Sequence, residues 1–148
     1  MKNSILFLLL FCLGFLLSPD VIAQKKATIF QEVTEIPDGK AVVYFYRINR
    51  FNTMTNFRIN DGNKPVSGTQ LSVKGYIVYF TEPGKKEFWA QVAEAKSQIE
   101  INIEAGKSYF VSGRVEPGQW KLGKPLLLEV SEEEALKNIK KCKLLVEE

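Results

Sequence analysis

The stretch YIVYFTEPGKKEFWAQV, residues 76–92, decides the fold. Its first arm, residues 76–81, consists of β-branched and aromatic residues, the types that fit a pleated, half-buried surface. Glu82, Pro83, Gly84 and Lys85 then break the run. Proline presets φ at the first corner of a turn, and glycine accepts the positive φ of the second. In the second arm Phe88, Ala90 and Val92 share one face, and Glu87, Trp89 and Gln91 the other. That period of two marks a strand with one buried side. The expectation is a long β-hairpin around which the other strands assemble.

Working outward, residues 41–47 (AVVYFYR) are apolar on both faces, the pattern of a central strand covered on both sides. Residues 48–56 are polar and Asn-rich and read as a loop. Phe57 and Ile59 alternate with polar neighbours, Asp61-Gly62 is a hairpin signal, and residues 64–73 continue with Val66, Leu71 and Val73 inward. Pro65 restricts the start of that segment to an edge or bulge. On the other side, residues 93–97 form a small-residue connection. In residues 98–103, Ile99, Ile101 and Ile103 face one way and Gln98, Glu100 and Asn102 the other. After a turn at Glu104-Ala105-Gly106-Lys107, residues 108–115 place Tyr109, Val111 and Val115 inward. Residues 116–125 form a loop holding Trp120, and residues 126–130 form the last strand. Ser131 with Glu134 three positions on signals a helix start, and three glutamates in the first turn suit the helix dipole. Ala135, Leu136, Ile139, Cys142 and Val146 share one face of a helix expected to run over residues 131–148 and to cover one end or edge of the sheet. About eight short strands with regular turns predict a mainly β, antiparallel sandwich over residues 39–130, preceded by a leader at residues 24–38.

The N-terminus reads as an export signal. Lys2 opens it, residues 5–17 are apolar, and Val21-Ile22-Ala23 offers a cleavage site between Ala23 and Gln24. The apolar run is shorter than the ~20 residues a membrane-spanning helix needs. Cys12 follows Leu10 and Phe11 rather than a small residue, which disfavours a lipoprotein anchored through it. The expected product is periplasmic or secreted, with no stable membrane span after cleavage. Cys142 is then its only cysteine, so no internal disulfide is expected. The 148-residue chain contains no histidine, which removes the commonest general base and metal ligand. Its formal charge of +3 is spread among interspersed acids and bases, and no nucleic-acid partner is expected. No cofactor, metal site or catalytic residue is expected either.

Three blocks occur in order: Gly39-Lys40-Ala41-Val42-Val43-Tyr44-Phe45-Tyr46-Arg47, then Glu82-Pro83-Gly84-Lys85, then Ala105-Gly106-Lys107-Ser108-Tyr109-Phe110. Together they resemble the DUF2846 group of bacterial exported domains of unknown function. In outline they are similar to small immunoglobulin-like sandwiches with a Pro-Glu-Gly-Ala motif at the corresponding turn. The resemblance covers roughly residues 39–130. It implies an immunoglobulin-like sandwich in the cell envelope and brings no activity or site residues.

Function is read from what is left. Arg47 ends an otherwise apolar strand. It either clamps a carboxylate or phosphate at the rim, or it leaves into solvent or pairs with an acid such as Glu87. Tyr44, Tyr79 and Trp89 suit cross-strand packing, whereas Trp120 sits between loop glycines and is a candidate binding residue. Asp38, Asp61, Glu82 and Glu104 are ordinary turn residues. Each turn glycine (Gly39, Gly62, Gly84, Gly106) is followed closely by a lysine, and two strands separate successive turns. Lys40, Lys64, Lys85 and Lys107 are therefore expected at one end, either as plain solubilising charges or as a rim for an anionic surface. The expected role is a non-catalytic interaction or structural module binding an envelope protein or anionic surface. The alternative is a module for carbohydrate or a small apolar molecule.

Overall fold

The computed structural model describes residues 29–93, 95–118 and 121–146. Strand β1, Ala41–Arg47, is buried at every position, as an apolar run with no wet face requires. The described chain continues through β2 (Ile59–Asp61), β3 (Lys64–Pro65), β4 (Gly75–Thr81), β5 (Gly84–Val92), β6 (Ala95–Ile103), β7 (Ser108–Glu116), β8 (Lys124–Val130), helix α1 (Glu132–Ile139) and β9 (Lys143–Leu144). The strands form two sheets, ordered β8-β7-β1-β4-β9 and β3-β2-β5-β6.

The inner faces of the two sheets share one core. Val43 and Phe45 of β1, Ile77, Val111 and Leu127 meet Phe88, Ala90, Ile101 and Ile103 of the second sheet. The isoleucine alternation in β6 is present, with Ile101 and Ile103 buried and Glu100 and Asn102 exposed. The outer face of the first sheet has its own cluster. Val42, Tyr44, Tyr46, Tyr76 and Phe110 are covered by Ala135 and Ile139 of α1, by Cys142, and by Phe30, Val33 and Ile36 of the N-terminal arm. The result is a mainly β sandwich whose first sheet is covered on both sides.

Three sequence expectations are corrected. The first is the hairpin at residues 76–92, because its two arms lie in different sheets. β4 pairs with β1, from Ala41 opposite Thr81 to Arg47 opposite Gly75. β5 pairs with β2 and β6. Their hydrophobic patterns explain the separation. β4 opens with Gly75, Tyr76 and Ile77 all buried and belongs in the doubly covered sheet, while β5 alternates and belongs in the sheet with a wet face. Glu82-Pro83 is therefore a bridge between layers. The strong hairpin is instead β5–β6, closed after Val92 opposite Ala95, in the segment read as a plain connection.

The second correction concerns strand direction. The second sheet is antiparallel, but β1 and β7 run parallel, from Val42 opposite Ser108 to Tyr46 opposite Ser112. The chain crosses to the second sheet for β5 and β6 and returns at the end where β1 begins. There the Gly106 N–H donates to the Lys40 carbonyl at 2.7 Å, and the Val42 N–H donates to the Lys107 carbonyl at 3.1 Å.

The third concerns the C-terminal segment. The helix begins as read, with the Glu134 N–H donating to Ser131 Oγ at 3.3 Å, but it stops at Ile139. The chain then adds β9 in parallel beside β4, Lys143 opposite Gly75 and Leu144 opposite Tyr76. The open edge of β4 offers backbone groups that a longer helix could not reach. Gly75 permits the close approach, since a Cβ there would lie 2.5 Å from Leu145 Cδ1. Cys142 is buried beyond the helix, and Val146 is exposed.

The outer layer is tied down by phenols. The Val33 N–H donates to Tyr44 Oη at 2.7 Å, the Tyr46 hydroxyl bonds Asn138 and Ser112, and the Tyr76 hydroxyl bonds the backbone of Gln31. Burial raises the pKa of all three tyrosines and pushes the Cys142 thiol up to about 11. A folded pKa above the unfolded one gives stability that is complete below the unfolded value and lost as pH rises through the folded value. Stability to urea is therefore expected to hold steady up to about pH 9 and then fall toward about pH 11. Urea midpoints measured across that range test this, and a flat profile to pH 11 would contradict it.

Candidate functional site

β1 delivers Arg47 to the end of the sandwich opposite the glycine turns. The side chain is neither solvated nor paired with Glu87. Arg47 is 0% exposed, and its guanidinium has no carboxylate among the ion pairs of the described residues. It binds the β1–β2 loop instead. Nη1 donates to the Thr55 carbonyl, and Nη2 donates to the carbonyls of Phe51 at 3.1 Å and Asn52 at 3.0 Å. The Phe57 ring lies 5.7 Å from Cζ. Both readings of Arg47 as a rim residue are thus replaced by a buried cation that folds a loop around itself. Burial lowers its pKa, and the three carbonyl dipoles supply the negative ends that a counter-ion otherwise would.

The loop so held docks on a second one. Asn52 Nδ2 donates to the Lys121 carbonyl at 2.9 Å, and Thr55 Oγ1 donates to the Leu122 carbonyl at 3.3 Å. Phe51 lies against Gly123, where an added Cβ would be 3.4 Å from its ring. The two loops nevertheless leave large apolar side chains in water: Phe51 is 43% exposed, Met54 93% and Leu122 51%. Sequence reading gave residues 48–56 only as a polar loop. The available signal was Phe51 and Met54 interspersed among asparagines and threonines.

Charge is divided between the two ends of the sandwich. Strand directions place the β1–β2, β3–β4 and β7–β8 connections, and the α1–β9 connection, at the Arg47 end. Among the described residues these carry Arg50, Arg58, Lys74, Lys121, Lys140 and Lys141 and no Asp or Glu, while Glu116, the last residue of β7, lies at the same end and pairs with Lys124 at 3.9 Å. The two-residue β5–β6 turn at the same end contains Glu94 by sequence. At the opposite end lie all four glycine turns, and Gly39, Gly62, Gly84 and Gly106 have φ of 72°, 53°, 128° and 76°. Lys40, Lys64, Lys85 and Lys107 are therefore brought to one end, but each turn also carries an acid: Asp38, Asp61, Glu82 or Glu104. Lys85 pairs with Glu100 at 2.8 Å and Lys107 with Glu104 at 2.7 Å. The α1 N-terminus adds Glu132, Glu133 and Glu134 nearby. Two of the four exposed ammonium groups are thus paired with carboxylates.

The remaining candidates have structural surroundings. Tyr44 stacks on Phe110 with centroids 5.0 Å apart. Tyr79 donates to Asp61 Oδ2 at 3.0 Å and so links the two sheets. Trp89 donates to the Gly62 carbonyl at 2.6 Å, with Lys96 Nζ 4.7 Å from its ring. Trp120, Cys12 and the cleavage pair Ala23 and Gln24 lie outside the described residues. Among the described residues no three His, Cys, Asp or Glu side chains are grouped to hold a metal ion, and no helix is long and apolar enough to cross a membrane. Compared with protein-family models, curated proteins and solved structures, the chain matches none, and the resemblance to DUF2846 stays an expectation.

Proposed function

We propose that this protein is an exported, non-catalytic interaction module of the cell envelope. In this reading an immunoglobulin-like sandwich serves as a rigid mount for contact loops at one end. The observation that carries the proposal is the use of Arg47. A fully buried guanidinium is spent on ordering the β1–β2 loop, and that ordered loop still exposes Phe51 and Met54. Large apolar side chains displayed on an ordered surface mark interaction sites, because solvent exposure alone gives no reason to order them.

The test is site-specific photocrosslinking in intact cells. A photoreactive residue at position 54 is expected to give envelope adducts, and the same residue at position 85, in the turn end, is expected to give few. Adducts from position 85 with none from position 54 would overturn the assignment.

A further inference from the structure

We infer that the Arg47 end seats on an anionic lipid bilayer, with Phe51, Met54 and Leu122 entering the interface and the surrounding lysines meeting headgroup phosphates. This rests on the loop end being the contact surface and adds what it contacts. Three independent observations converge on a bilayer.

The first is the pairing of protruding apolar side chains with cations. Binding to a membrane surface scales with the apolar area that enters it and with attraction to anionic lipids. Met54 is 93% exposed. A projecting flexible side chain suits a deformable hydrocarbon boundary better than a shaped protein pocket. Arg50 and Lys121 flank the tips in sequence, and Lys74, Lys140 and Lys141 lie on the adjoining connections.

The second is the polarity of the whole sandwich. At the opposite end the four turn acids offset the four turn lysines, and Glu132, Glu133 and Glu134 add to them. An anionic surface would therefore attract one end and repel or ignore the other, which orients the protein before contact.

The third is where the chain enters the described domain. Ile29 forms an antiparallel bridge with Lys143, and Lys143 pairs with Gly75 at the Arg47 end. The 28 residues before Ile29 therefore join at this end. Retained, their apolar run at residues 5–17 would tether this end to the bilayer. Cleaved after Ala23, they leave a short segment that contains Lys25 and Lys26 by sequence.

The test uses the full chain carrying Cys12→Ser, labelled with an environment-sensitive fluorophore at Met54→Cys or, separately, at Lys85→Cys. Cys142 is buried with its thiol pKa pushed up to about 11, so labelling at neutral pH reports the introduced cysteine. With phosphatidylglycerol-containing vesicles, emission at position 54 is expected to rise severalfold and shift to the blue, while position 85 stays unchanged. The response is expected to weaken as salt rises from about 0.1 to about 0.5 M, where the screening length falls well below ~10 Å. It is also expected to weaken in Lys140→Glu/Lys141→Glu, whose sites are exposed. A rise at position 54 that is insensitive to salt and to Lys140→Glu/Lys141→Glu would mark tethering through the leader alone and would overturn the proposal. No rise at position 54, an equal rise at position 85, or an equal rise with pure phosphatidylcholine would overturn the proposal. Protein adducts from position 54 in cells with no vesicle response would refute the lipid assignment and leave the interaction reading standing. No adduct of any kind from position 54 would remove both.

Discussion

Arg47→Met is expected to lower stability by about 2–4 kcal/mol, since hydrogen bonds to a charged group contribute ~1.5–3 kcal/mol each and part of that is returned when the guanidinium no longer has to be desolvated. Removing a buried charge often costs little when its partners are replaced with it. Here the partners are the carbonyls of Phe51, Asn52 and Thr55, which belong to the backbone and stay. The loop must open to water to satisfy them. Arg47→Lys should recover only part of the loss, because one ammonium group cannot serve three carbonyls that a planar fork reaches together. Urea denaturation of the two variants beside the parent measures both quantities. A Met variant as stable as the parent would mean that the loop holds itself.

Phe88→Ala should cost about 3–5 kcal/mol, the range for truncating a buried aromatic side chain. Phe88 is fully buried between the sheets. Its ring meets Phe45 of β1 edge-on at 5.1 Å and Tyr79 of β4 at 6.3 Å. It therefore holds the second sheet against the first, and the cavity left behind would be lined by rigid rings that cannot collapse into it. Met54→Ala, at the loop tip, should stay within about 0.5 kcal/mol of the parent, as surface changes usually do. The same denaturation series decides it. A mild Phe88→Ala would show that the two sheets do not share this core.

The sequence made the strands legible where side chains alternate or where both faces are apolar. Residues 41–47 declared a central strand because all seven are apolar or end in an arginine, and residues 98–103 declared their inner face through three isoleucines. It did not tell which strands pair. The turn at Glu82-Pro83-Gly84 has hairpin chemistry but lies between two sheets, and only the different burial needs of β4 and β5 reveal that. The C-terminal apolar spacing fits a helix through Val146, yet the open edge of β4 captures Lys143 and Leu144 as a strand. That is a tertiary preference that helical periodicity cannot carry.

The candidate site was less legible for a related reason. Arg47 was visible as the odd charge on β1, but its fate depends on carbonyls, and every residue type has one. The four Gly-Lys turns were correctly traced to one end by counting strands. The acid beginning each turn was read as backbone chemistry, and the pairing of Lys85 with Glu100 and of Lys107 with Glu104 needed the fold. The cations of the Arg47 end come from four separate connections that only the fold brings together.

The central claim is that Arg47 builds the exposed loop end. Native-state hydrogen exchange on the parent and on Arg47→Met, at equal distance from their unfolding midpoints, tests it most directly. The amide of Thr55 bonds the Asn52 carbonyl at 3.1 Å, inside the segment that Arg47 holds. Loss of the guanidinium is predicted to speed exchange at residues 52–55 and 121–123 while β1, β4 and β5 keep their relative protection. Unchanged exchange in both loops, or the same acceleration throughout the sandwich, would contradict the claim.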